Sequence, residues 1–259
     1  MNIKISEVNM QRLFLFQELT KRDFKQKYKR TILGMGWSLL SPLLQLLVMK
    51  IVFTQFFGRN SPHYTTYLLA GNVVLAFFKE STRGGMNALV SNKNIITKIR
   101  VPKYLFLLSK NVSSLINFCL TMIVFFVFAA FDGITFTPQF FLLIYPVICL
   151  IVLNVGVGMI LSALFVFFKD IKYLYDIFLV LLTYLSAIFY RVSAYPLEIQ
   201  RLFMLNPVYT VIRYVRMITI DGVIPSAAHH GIMALYAVLA LLIGILIYKK
   251  KNQQFLYYM

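Results

Sequence analysis

The sequence predicts an all-α integral membrane fold with six transmembrane helices, preceded by an amphipathic helix at the membrane interface. Three observations predict it. Of 259 residues, 59% are hydrophobic and only 14% charged, with a mean hydropathy of +0.75, a composition foreign to soluble domains of this size. A bilayer core about 30 Å thick takes roughly 20 apolar residues per helical span, and the chain has room for about six such runs. Its 26 Lys and Arg against 9 acidic residues crowd into a few aqueous segments. In a soluble chain the net charge of +17 would point to nucleic acid; here it points to orientation and to anionic head groups, and no nucleic-acid partner is expected.

Residues 1–32 are polar and basic. The first dozen carry Lys4, Glu7 and Arg12 with no apolar h-region, so no cleavable signal peptide is expected and the segment is read as cytoplasmic. At about 100° per residue, Phe16, Phe24 and Tyr28 fall on one face, while Arg22, Lys25 and Lys29 gather opposite. That is an amphipathic interface helix. Its cations act either as a topology signal or as a basic collar that meets an anionic lipid head group.

The first span covers 33–57 and the second, weaker one 64–87, interrupted by Gly71-Asn72 and by Lys79, Glu80 and Arg83. The third covers 104–131, and the fourth 140–168 with Pro146 as an expected kink. After the polar break FKDIK come a fifth span over 173–190 and a sixth over 231–248. Between these last two, residues 191–230 are punctuated by Pro196, Pro207 and Pro225. This segment is too polar for a span and too apolar for a solvated loop, and reads as short helices packed at membrane depth against protein. The whole chain, 1–259, is one transmembrane domain.

Basic residues set the orientation. Those before span one, Lys93, Lys98, Arg100 and Lys103 after span two, Lys169 and Lys172 after span four, and Lys249 to Lys251 after span six all fall on one side. By the positive-inside rule that side is cytoplasmic, so both termini are inside.

Within span one, Trp37, Ser38, Ser41, Gln45 and Gln55 occupy roughly 100° of arc. Such a stripe faces protein or water, as a helix contact or as the lining of a conduit. Gly156 and Gly158 in span four read as close helix contacts. In SNKNIITKIRVPK (91–103), Ile95, Ile96 and Ile99 share a helical face flanked by Lys98 and Arg100, and Pro102 stops the helix. That face either seats in a partner's groove or folds back onto its own bundle.

No GxxxxGK[ST] loop occurs, so the chain has no phosphate cradle of the P-loop kind. Glu80 is the one deeper carboxylate, with Arg83 at i+3 as its expected partner. Cys119 and Cys149 lie in apolar runs, which excludes a disulfide framework or cysteine-rich metal site. His63, His229 and His230 are placed in outer loops. No catalytic residues, no metal site and no cofactor are expected.

The ordered series KRDFKQKYKRTILGMGWSLLSPL (21–43), YLLAGNVVLAFFKE (67–80), ALVSNKNIITKIRVPK (88–103), FFKDIKYL (167–174), FYRVSAYP (189–196) and LNPV (205–208) resembles the membrane (permease) subunit of type-2 ABC exporters. Within these it looks like the polysaccharide branch that exports O antigen, capsule or teichoic acid. Each piece is weak alone, but their order and spacing cover almost the whole chain. Lys79 and the basic, tyrosine-ended C-terminus depart from the pattern.

The resemblance implies a homodimer enclosing a conduit in the bacterial cytoplasmic (inner) membrane, with two copies of a separate ABC ATPase subunit that bind ATP and Mg. It makes residues 91–103 a cytoplasmic coupling helix, with Ile95, Ile96, Lys98, Ile99 and Arg100 meeting the ATPase, and 191–230 an outer gate segment of short helices. The implied cargo is a glycan on a polyprenyl diphosphate. Lys25, Lys29 and Arg30 are the candidates to meet its diphosphate. Aromatic rings let apolar sugar faces slide, and Trp37, Phe53, Phe57, Phe178, Tyr184 and Phe189 are the candidates to line the conduit. The rival readings are a type-2 permease for drugs or lipids and a membrane-embedded transferase acting on polyprenyl-linked sugars. The second needs a buried acid or histidine pair that the sequence does not supply.

Overall fold

The apolar runs fold into packed helices. The structure, a computed structural model, describes residues 2–28, 33–34, 36–53, 62–99 and 101–258, and among these the regular structure is helical throughout. The order is α1 (Asn2–Tyr28), α2 (Gly36–Phe53), α3 (Tyr64–Ser91), α4 (Lys93–Ile96), α5 (Tyr104–Phe131), a 3-10 turn (Pro138–Leu143), α6 (Ile144–Phe167) and α7 (Ile171–Leu185). A second 3-10 turn (Val192–Ala194) leads to α8 (Leu197–Phe203), α9 (Pro207–Thr219), α10 (Ala227–Lys251) and α11 (Phe255–Tyr258). Three of these units are long and apolar enough to cross a bilayer: α5, the stretch Pro138–Phe167 and α10. By contrast α7 has 15 residues, and α3, with 28, carries Lys79, Glu80 and Arg83.

Local chemistry sets the element ends. α5 stops where Gly133 takes a φ of 81°, a left-handed turn that glycine adopts without steric cost. The chain runs as a 3-10 turn to Leu143 and α6 starts at Ile144, so Pro146 occupies a first turn, where its missing N–H costs no helical bond. α7 ends at Leu185, short of 190, because the chain turns at Ala187. α9 starts at Pro207 behind a cap, Asn206 Oδ1 accepting from the backbone N–H of Val208 at 2.9 Å. α10 starts at Ala227 behind the Ser226 cap, ahead of the expected 231. His229 and His230 therefore lie in its first turn and not in a loop, and His229 is buried with Nε2 2.9 Å from Thr210 O.

Inside a bilayer, apolar burial against protein gains little over burial in lipid, so close approach at small residues holds helices together. α6 uses two glycines this way. A Cβ on Gly156 would collide with the Ala240–Leu241 backbone of α10, and one on Gly158 would sit 3.4 Å from the Gly85 Cα of α3. Around this seam one buried cluster gathers Phe77, Phe118, Phe125, Leu150 and Tyr214. A second, toward α1 and α4, gathers Leu19, Leu89, Ile96, Phe106 and Phe255.

Charged groups pair across helices, which corrects the local pairing expected for Glu80. Its Oε1 accepts from Lys27 Nζ of α1 at 2.8 Å, and Arg83 Nη2 reaches Asp176 of α7 at 2.8 Å. The α1 and α7 partners are nearer than the i+3 neighbour, so α3 is laced to both sides of the bundle.

Candidate functional site

A cavity of about 510 Å³ lies between α2, α3 and α5, with Lys27 of α1 at its edge. α2 contributes Trp37, Ser41 and Gln45, spaced i, i+4, i+8 so that they lie along one side. α3 adds Asn72, Phe77 and Glu80, and α5 adds Ser114, Asn117, Phe118 and Thr121. Three residues of the polar stripe, Trp37, Ser41 and Gln45, thus face a protein-lined cavity, while the Ser38 side chain and Gln55 lie outside what is described. Asn72 Nδ2 donates to Gln45 Oε1 at 3.5 Å, bridging α3 to α2. Glu80 Oε1 also accepts from Asn117 Nδ2 at 2.8 Å, so the one acid in the wall is ion-paired and hydrogen-bonded. Phe77 and Phe118 stack at 4.6 Å.

Neutral amides and hydroxyls beside aromatic faces can hydrogen-bond a hydroxylated, uncharged group while offering it apolar contact. The sequence analysis found Trp37, Ser41 and Gln45 but missed Asn72, Ser114, Asn117 and Thr121. The spacing of the last three, i, i+3, i+7 within an otherwise apolar run, was the signal available.

An apolar groove of about 430 Å³ runs between α1 and α5, walled by Phe16, Phe24, Val112 and Ile116, with Lys21 and Lys25 beside them. Lys25 and Phe24 line one groove and not opposite sides of the helix, because a lysine stem lies along apolar surface while its ammonium stays outside. Arg22 is not a free cation of the collar. Its Nη2 donates to Asp23 Oδ1 at 2.8 Å and to Asn92 Oδ1 at 2.7 Å. Lys29 and Arg30 lie outside the described residues.

The isoleucines of 91–103 do not share one exposed face. α4 is a single turn. Ile96 is 7% exposed in the second cluster, Ile95 packs partly against it, and Ile99, past the helix end, is 55% exposed next to exposed Lys98. The physical reason is the early stop: beyond Ile96 the chain turns, which carries Ile99 away from the buried pair. Arg100 lies outside the described residues.

Of the four candidate aromatics whose side chains are described, Trp37 alone is on the cavity, 41% exposed. Phe178 stacks on Tyr175 at 6.0 Å, and the Tyr184 and Phe189 rings lie 6.4 Å apart, all away from that cavity. Phe53 ends α2 and its side chain is outside what is described, as is the whole of Phe57. Phe178 and Tyr184 belong to an uncovered stripe of α7 with Leu174, Ile177 and Leu181.

Comparison with known proteins fits these features. The chain is similar to the O-antigen export system permease protein RfbA of Myxococcus xanthus, 26% identical over 245 residues that cover 93% of this chain and 94% of that protein. It is likewise 26% identical over 258 residues to RfbA of Klebsiella pneumoniae, covering 98% of each. To the polysialic acid transport protein KpsM of Escherichia coli it is 21% identical over 256 residues, covering 98% and 97%. The family described as ABC-2 type transporter matches residues 14–220, and with that match spanning most of its length the chain belongs to the ABC-2 type transporter family.

Proposed function

We propose that this protein is the transmembrane subunit of an ABC exporter that moves a polyprenyl-diphosphate-linked polysaccharide, of the O-antigen, capsule or teichoic acid type, across the bacterial cytoplasmic membrane. The observation that carries the reading is the cavity of α2, α3 and α5, whose amides, hydroxyls and Trp37 suit a sugar and whose single acid is neutralised. The relatives named for O-antigen export and polysialic acid transport support the same cargo class.

The working unit is a homodimer with two copies of an ATPase subunit, which bind ATP and Mg, since the chain has no P-loop. The uncovered α7 stripe suits a second copy across a central conduit. Six spans cross the membrane with both termini in the cytoplasm; α3 and α7, more charged or shorter than an unassisted span, are carried by packing against the bundle. Ile99, Lys98 and Arg100 meet the ATPase. The apolar groove with Lys21 and Lys25 receives the lipid from the inner leaflet, prenyl chain in the groove and diphosphate at the ammonium groups, and Lys29 and Arg30 are further candidates to meet the diphosphate.

The test is reconstitution of the chain with its ATPase partner in vesicles. ATP turnover should rise with a polyprenyl-diphosphate glycan and stay flat with hydrophobic drugs. Stimulation by drugs alone would move the protein to the drug or lipid permease class, and turnover by the isolated chain would remove it from this scheme.

A further inference from the structure

At the end of the bundle opposite α1 and α4, a second cavity of about 230 Å³ brings together Tyr67 of α3, Arg191 and Ser193, Arg213 and Arg216 of α9, and Asp221. Its floor is built. Arg216, 6% exposed, donates from Nε to Tyr67 O at 3.3 Å and from Nη1 to Ala187 O at 2.9 Å, and its guanidinium lies 3.4 Å from the Tyr67 ring centroid. Only the absence of a side chain at Gly71 admits it, since a Cβ there would stand 2.7 Å from Arg216 Nη2. Arg216 thereby supplies fixed positive charge with its donors already spent on carbonyls.

The other two guanidiniums are not spent. Arg191 donates from Nη2 to Pro62 O at 3.0 Å, but its Nε is buried with no hydrogen-bond partner among the described residues. An orphaned charged donor is costly and calls for an acceptor. Arg213 has the Met204 sulfur, a weak acceptor, at 3.4 Å from Nη1 as its hydrogen-bond partner among the described residues. Asp221 lies within electrostatic reach of all three arginines, yet forms no salt bridge with them. Among the described residues, three guanidiniums against one carboxylate leave two net positive charges around the cavity.

We infer that this cavity is an anion site that takes the diphosphate head group of a carrier lipid on the outer side of the membrane. A diphosphate diester carries two negative charges, matching the net charge of the site, whereas a sugar carboxylate carries one. Guanidinium forks match phosphate oxygens in geometry as well as charge. Arg191 and Arg213 bind, Arg216 holds the floor, and Asp221 weakens the site enough for release. The site rests on the proposed function for its placement on the outer side and for the source of the head group.

The test is calorimetric titration of inorganic pyrophosphate into the full-length chain in phosphatidylcholine nanodiscs, with glucuronate as the carboxylate control. Pyrophosphate should bind at least tenfold tighter than glucuronate. Arg213→Gln and Arg191→Gln should each weaken it about tenfold or more, in line with a lost charge-assisted hydrogen bond, and Asp221→Asn should tighten it. Asp221→Asn cannot be mimicked by misfolding, because its effect is a gain. Adding polyprenyl diphosphate to the nanodiscs should compete with pyrophosphate. Equal binding by wild type and both arginine variants, or glucuronate binding as tightly, overturns the site; lack of competition by the lipid overturns its assignment to a head group. Export lost with pyrophosphate binding intact concerns the proposed function and leaves the site standing.

Discussion

Arg22 of α1 reaches across to Asn92, the residue that opens α4, with Nη2 donating to Asn92 Oδ1 at 2.7 Å. Asn92 in turn donates from Nδ2 to Ala88 O at 2.8 Å and accepts at its backbone O from the N–H groups of Ile95 and Ile96, each at 3.0 Å. Arg22 thus grips the residue that organises α4, and under the proposed function a displacement of α4 by the ATPase would carry α1 with it. Arg22→Gln should leave assembly with the ATPase intact and lower export several-fold, as should Asn92→Ala. The double variant should fall no further than the worse single one, the signature of two residues acting through one contact. Additive losses would separate them.

Asp23, next along α1, is the anchor of that grip. Its side chain is 1% exposed and is held by Arg22 at 2.8 Å, by Lys110 of α5 at 2.9 Å and by Ser109 Oγ at 3.0 Å. Asp23 is the buried member, and its removal takes away three hydrogen-bonding contacts while leaving the partly exposed Arg22 and Lys110 without their carboxylate. Charge-assisted hydrogen bonds contribute about 1.5–3 kcal/mol each, less where solvent screens them. Asp23→Ala should therefore lower the unfolding temperature in nanodiscs sharply. Asp23→Ala with Lys110→Met should recover part of the loss, and a double variant as unstable as the single would show that Lys110 is not what Asp23 neutralises.

The two ends of the α4 segment should respond differently to the same substitution. Ile96→Asp buries an unpaired carboxylate in the cluster with Leu89 and Phe106, and should abolish membrane accumulation of folded protein. Ile99→Asp alters an exposed side chain, so the chain should fold normally and fail to retain its ATPase on affinity purification. Retention at wild-type level would mean the ATPase docks elsewhere.

The contrast between Ile96 and Ile99 illustrates what the sequence could and could not disclose. Periodicity within one helix was legible: Trp37, Ser41 and Gln45 share a face at any position of α2, and the apolar run ending at Asp132-Gly133 marks the end of α5. A single turn of helix is too short for periodicity to fix, so the isoleucines of 91–103 could not be oriented. Pairings between helices were invisible for a related reason. Spacing offered Arg83 to Glu80, whereas the chosen partners, Lys27 and Asp176, come from other helices brought near only by packing. The cluster of Arg191, Arg213 and Arg216 was not legible in the sequence, because nothing in their spacing reveals that Tyr67 and Gly71 of α3 lie beneath Arg216.

Glycine contacts provide a stability test that bypasses transport. Gly156→Ala pushes a methyl into the α10 backbone, which cannot move aside as a side chain would, and overpacking of this kind costs typically about 1–3 kcal/mol. Gly231→Ala, in the exposed first part of α10 with nothing within 4 Å, should be neutral or stabilising by up to about 1 kcal/mol through helix propensity. Thermal unfolding of the two variants side by side should show a loss for Gly156→Ala and none for Gly231→Ala. A destabilised Gly231→Ala would place a partner helix against that position.

Trp37 separates a sugar-handling cavity from an incidental gap between helices. Trp37 is 41% exposed and stands on the cavity wall with Ser41 and Gln45, so part of its surface is free to meet a cargo. If the ring serves passing sugars, its loss removes an aromatic contact worth roughly 0.5–1.5 kcal/mol, a factor of about two to ten in rate when that contact stabilises the slowest step. Trp37→Ala should therefore slow export several-fold at unchanged unfolding temperature and unchanged ATPase retention, and Trp37→Phe should restore most of it by returning an apolar face without the indole N–H. If the ring only packs, Trp37→Ala should lower stability and leave export per folded molecule unchanged. Export measured against the amount of folded protein distinguishes the two, and an undiminished rate in Trp37→Ala would remove Trp37 from the path of the cargo.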